Sequence, residues 1–181
     1  MKKHLLFSII GGIIIFAWQF LSYAMPNFHK NANEYTPLQD TLLSTFQAVG
    51  LEEGMYMLGQ PNPDDPDASY DMEANSTWAV VNYQIDVPNS MTMPMVRGII
   101  ICIVIAALLF LFFKQQTNAR LIDRLLIALG VGIIGFLYTP YTNYIWYREP
   151  DIYAHMLDAI VPYLILGWIG HLFLKGNKSV S

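Results

Sequence analysis

The amino-acid sequence predicts a mainly α-helical integral membrane protein: four transmembrane helices, with a small α+β extracytoplasmic domain inserted between helices 1 and 2. Three observations carry this. Of 181 residues, 54% are hydrophobic and only 13% charged, with a mean hydropathy of +0.36, which is more apolar than a soluble domain of this length. The excess sits in four blocks, Leu5–Leu21, Val96–Phe113, Leu121–Tyr138 and Tyr153–Leu174. Each is near the roughly 17–25 residues a helix needs to cross about 30 Å of hydrocarbon. Between the first two blocks lies a long polar stretch, Tyr23 to Met95. Residues 1–23 then form helix 1, residues 24–95 the outer domain, and residues 96–181 helices 2–4 with short loops and a tail.

Charge placement sets the orientation. With four crossings, Lys2, Lys3, Lys114, Arg120, Arg124, Lys175 and Lys178 fall on one side, leaving only Lys30, Arg97 and Arg148 on the other. By the positive-inside bias the first side is cytoplasmic. Both termini are therefore expected in the cytoplasm, with residues 24–95 outside an inner membrane. The single cysteine, Cys102, lies in the second block, so the outer domain has no disulfide and the chain no CxxC motif. This excludes tetraspan architectures built on paired extracellular cysteines. Phosphate-binding glycine loops, Ser-His-Asp spacings and basic nucleic-acid patches are missing too, so no nucleic-acid partner is expected.

Helix 1 begins like a signal peptide, and Ser22-Tyr23-Ala24 has the small-x-small form of a cleavage site. Its apolar run is longer than an h-region, however, and Trp18 and Gln19 interrupt the approach, so it reads as a retained span. Ser8 and Gly12 make a small-xxx-small contact face. In the outer domain Thr36 reads as an N-cap with Pro37 at N1, opening a helix over Pro37–Val49 that Gly50 ends. Met55–Leu58 and the aromatic, β-branched run Trp78–Ile85 read as antiparallel strands around a loop of prolines and aspartates. The apolar face of that helix needs cover, from a membrane surface or a partner. Ala128, Gly130, Gly132 and Gly135 allow close helix approach in the third span. Tyr138 to Tyr153 is an interfacial aromatic belt.

Chemistry is hinted at in one place. Asp151, His155 and Asp158 sit at i, i+4 and i+7 of the fourth helix and so share a face. A carboxylate costs about 2.5–3.5 kcal/mol at the centre of a membrane helix and less near its end. Asp158 is expected to act structurally, paired with Arg97 at the same depth, with Arg148 and the belt tyrosines as secondary partners. The alternative is a metal or proton-transfer site made with His155, Asp151 and His29. Met91, Met93 and Met95 form an MxMxM pattern, as Met55 and Met57 form MxM, and thioethers select Cu(I). Alternating methionines are equally what a strand edge displays. Asp65, Asp67 and Asp71 alternate like a calcium loop but lack its glycine and glutamate, which favours a solvated acidic loop.

The helix-1 exit (Trp18, Ser22, Tyr23, Met25, Pro26, Phe28, His29), the Gly54-x-Tyr56-x-Leu58 segment, and Trp146-Tyr147-x-x-Pro150-x-x-Tyr153 followed by Asp158 resemble a group of small, uncharacterised bacterial inner-membrane proteins. Phe28 stands where that group tends to have the tryptophan of Leu-Pro-Trp-His. The resemblance implies four helices and a periplasmic first loop, and no activity. Three functions follow. The expected one is a structural or accessory membrane protein that binds a membrane or periplasmic partner, or itself. The others are a periplasm-facing copper-binding or sensing protein, and a small enzyme or proton-coupled carrier built on Asp158. Four helices make a poor pathway alone, so a carrier would need to oligomerise.

Overall fold

In the computed structural model the described residues are 2–25, 27–62, 64–65, 67, 76–86, 89–116 and 118–175. Their elements are α1 (Lys2–Ala24), a 3₁₀ turn (Lys30–Asn33), α2 (Gln39–Ala48), β1 (Gly54–Leu58), β2 (Ala79–Tyr83), α3 (Thr92–Gln115), α4 (Leu121–Tyr138), α5 (Pro140–Tyr147) and α6 (Ile152–Lys175). The chain divides into two compact units, one of Met1–Glu34 with Ser90–Ser181 and one of Tyr35–Asn89. The division falls inside the outer segment read from the sequence, because residues 25–34 belong with the long helices. Four helices among the described residues are long and apolar enough to cross a membrane: Lys2–Ala24, Thr92–Gln115, Leu121–Tyr147 and Ile152–Lys175.

The helical unit is two tight pairs, α1 on α3 and α4 on α6, joined mainly where α1 meets α6. Small residues make the pairs close. A Cβ on Gly12 would stand 2.7 Å from the Ile103 backbone, and one on Gly132 would stand 2.0 Å from the Ala159 carbonyl. Ser8 and Gly12 are both buried, as a contact face requires. Of the glycines in α4, Gly132 faces α6, whereas a Cβ on Gly130 or Gly135 would meet nothing within 4 Å. The end of the bundle near Phe7 is filled with rings. Phe7 stacks on Phe110 at 4.7 Å and meets Phe113 and Phe173 edge-on. There Arg124, only 5% exposed, donates to the Phe113 carbonyl at 2.9 Å, where the last carbonyls of α3 lack helical donors.

Helix starts differ from the sequence reading for local reasons. Ser90 Oγ accepts the Thr92 N–H at 3.0 Å, and Pro94 falls in the first turn, where a missing N–H is harmless. The helix therefore begins at Thr92, and Met93 and Met95 are helical residues instead of a strand edge. The aromatic belt contains a separate helix, α5, because Pro140 cannot continue α4 against the Phe136 carbonyl but suits N1. Asp151 lies outside α6 with φ +62 and does not share a helix face with His155 and Asp158.

In the smaller unit β1 and β2 pair antiparallel, Gly54 opposite Tyr83 and Leu58 opposite Ala79. The strand expected over Trp78–Ile85 is thus confined to its centre. Thr36 makes a turn, its Oγ1 accepting the Leu38 N–H at 3.3 Å, and α2 starts two residues later than expected. Gly50 ends it at φ +66. Phe46 of α2 meets Tyr83 edge-on at 5.5 Å. Asp65 accepts the Asp67 N–H in a turn of its own, while Asp71 lies outside the described residues.

The packing predicts that Gly132→Ala, which forces α4 off α6, costs at least about 1–3 kcal/mol. Gly130→Ala, on the same helix but facing open space, should be neutral or mildly stabilising, by at most about 1 kcal/mol. Thermal unfolding of the purified protein in detergent compares the two; equal midpoints would contradict the α4–α6 contact.

Candidate functional site

The site is organised by the needs of one carboxylate. Asp158 is six residues into α6, about 9 Å along the axis at 1.5 Å per residue. Its Oδ1 accepts the Trp18 indole N–H at 2.9 Å, from the last turns of α1. Its Oδ2 accepts His29 Nε2–H, also at 2.9 Å. One side chain therefore fixes both the register of α1 against α6 and the path of the chain after α1. Pro162, four residues on, lacks the N–H that would bond the Asp158 carbonyl, so the backbone here is also short of a helical donor.

His29 is 1% exposed. Its ring lies flat on Tyr23 at 4.0 Å and 5°, and His155 meets it edge-on at 4.6 Å. Its position is set by a second carboxylate. Asp151 accepts the Asn31 and Ala32 backbone N–H groups at 3.0 Å each, and the Asn31 side-chain amide. They lie at the start of a 3₁₀ turn, where an anion is favoured, and the Ala32 N–H is shared with the His29 carbonyl at 3.2 Å. Asp151 also gives its carbonyl to the Ala154 and His155 N–H groups, opening α6. The αL conformation of Asp151, tolerated by a short polar side chain, lets one residue do both. It supports the site from behind.

A cavity of about 340 Å³ opens beside this cluster, between the α1–α3 and α4–α6 pairs. Its polar lining comes from Gln19, Tyr23, His155, Asp158 and Tyr163. Gly132 and Gly135 line its α4 wall, and a Cβ on Gly135 would meet nothing within 4 Å.

Of the residues singled out in the sequence, His29, His155 and Asp158 converge, and Asp151 buttresses them. Arg97 does not join: it is exposed, and no ion pair connects it to Asp158. Asp158 takes its partners from the end of α1 instead of from α3. Met91, Met93 and Met95 are 68%, 59% and 52% exposed at the start of α3. Successive members lie about 200° apart around the helix, so Met93 points away from the face shared by Met91 and Met95, and the three do not converge together. Sequence reasoning misses Trp18 and Tyr23. The signal for Trp18 is an indole N–H in an apolar helix, which needs an acceptor.

The geometry predicts energetic coupling within this cluster and none to Arg97. In a cycle of His29→Ala and Asp158→Ala, the coupling in unfolding free energy should be about 0.5–3 kcal/mol. Arg97→Gln should add independently to Asp158→Ala. Coupling to Arg97 without coupling to His29 would refute the arrangement.

No family model, no curated protein and no solved structure matches this chain. What the cluster does must therefore be read from its own residues.

Proposed function

We propose that this chain is an accessory protein of the bacterial inner membrane, holding a small periplasmic domain for contact with another protein. The orientation rests on the excess of Lys and Arg on the side of both termini, and the bacterial setting on the resemblance of the helix-1 exit and the Trp146–Asp158 segment. The observation that carries the functional reading is α2. None of its ten residues is buried, and Leu42 and Leu43 are 48% and 49% exposed, with Leu38 and Val49 beside them more so. A two-stranded hairpin is marginal in water without further cover, and an apolar helix face next to it is a surface for a partner. The Asp158 and Asp151 contacts suit the same role, since they fix the chain just before the domain begins at Tyr35.

Two measurements test this. Cysteines placed at Ser44 and Asn118, both exposed, should label from opposite sides: Ser44→Cys with an impermeant reagent in intact spheroplasts, Asn118→Cys only after lysis. The reverse pattern would overturn the orientation. For the partner, the protein mass of the complex extracted in mild detergent should exceed the 20.6 kDa of one chain. The pair Leu42→Glu and Leu43→Glu should reduce it to the monomer without lowering the unfolding midpoint. A monomeric wild-type protein would refute the reading.

A further inference from the structure

His155 is the member of the cluster that the Asp158 clamp leaves unused. Its ring meets His29 and lines the cavity, and that ring makes no hydrogen bond among the described residues. His29, buried as it is, likewise keeps Nδ1 without a partner. A histidine–carboxylate tie alone needs no second imidazole beside it, whereas a cation held between Asp158 and the Nε2 side of His29 does.

We propose that His29, His155 and Asp158 form a binding site for a divalent first-row transition ion of the zinc type, with an open coordination position toward the cavity. One ligand atom from each of the three lies within 4.8 Å of the others. Donors around a four-coordinate zinc, at about 2.0–2.2 Å from the metal, stand a little over 3 Å apart, so modest side-chain movements bring these three onto an ion. Two imidazoles, one carboxylate and a free position is the donor set of zinc and non-haem iron sites. The support expected around such ligands is present. Trp18 holds the second oxygen of Asp158, and Asp151 holds the segment that carries His29. Charge favours a cation as well: no lysine or arginine among the described residues pairs with Asp151 or Asp158. The donors are borderline and hard, so the ion is not Cu(I), for which the methionines of α3 were the sequence candidates.

This goes beyond the accessory role and does not depend on the domain having a partner. Its test is cobalt binding to the full-length protein, purified with a chelator and placed in nanodiscs, with zinc as competitor. The wild-type protein should bind Co²⁺ stoichiometrically and saturably, with the strong visible absorption of a four- or five-coordinate ion, and release it to Zn²⁺. His155→Ala should abolish the signal and leave the metal-free protein folded with a midpoint lowered less than in Asp158→Ala, because the ring packs on His29 but makes no hydrogen bond among the described residues. Trp18→Phe should weaken binding about 10–100-fold, and His4→Ala, near Phe110 at the other end of the bundle, should leave it intact. Absence of saturable binding, or binding that survives His155→Ala, would overturn the assignment.

Discussion

A carboxylate inside an apolar helix is tolerated only where hydrogen-bond donors replace what its apolar neighbours cannot supply. Much of this molecule follows from how Asp158 meets that condition. The donors it uses, Trp18 and His29, are eleven residues apart and reach it from opposite sides of the α1 terminus. For both to arrive, α1 must end near Ala24 and the chain must turn back at once. The turn is visible in the Phe28 N–H bonding the Ser22 carbonyl and in Asn27 at φ +56. The 3₁₀ turn that follows exposes donors that Asp151 accepts. One half-buried carboxylate thus propagates into a structured exit just before Tyr35.

The two ends of the bundle solve the packing problem differently. Near Phe7 the gap between helix pairs is filled by rings, and Phe113 lies so close to Gly170 that a Cβ there would be 2.4 Å from the ring. Near Asp158 a cavity opens in the same gap, lined by Gly132, Gly135 and Pro162 together with the rings of Tyr23, Phe136 and Tyr163. Close backbone approach at Gly132 brings α4 and α6 together without filling the space toward α1. Ring packing, with the Arg124 hydrogen bond to the Phe113 carbonyl, holds one end, and hydrogen bonds to a carboxylate hold the other.

How much of this was legible follows the range of the forces involved. Blocks such as Val96–Phe113 announce their helices because length and hydropathy are properties of the local chain. The pairing of Met55–Leu58 with the centre of Trp78–Ile85 was legible from β-branched content and the intervening turn residues. Boundaries set by a single hydrogen bond were not: Ser90 moved the start of α3 outward, and Thr36 moved α2 inward. At the site, depth in the chain placed Asp158, His155 and His29 on one level. Depth could not choose between Arg97 on α3 and Trp18 on α1 as the partner, because both lie near that level. The choice is made by which helix packs on α6, and α1 does so more extensively than α3.

That packing choice also bears on the chemistry the site can perform. Had Asp158 paired with Arg97, a guanidinium would have neutralised it permanently, since arginine does not lose its proton. A histidine partner is different. Imidazole can be neutral, and a neutral ring beside an ionised carboxylate leaves the pair with a net negative charge and lone pairs to share. Trp18 contributes a hydrogen bond and no charge at all. His155 meets the His29 ring edge-on, Asp151 is bound only by amide donors, and no lysine or arginine among the described residues pairs with either carboxylate. A divalent cation between His29, His155 and Asp158 supplies the missing charge, which an arginine at Asp158 would have made both unnecessary and unfavourable.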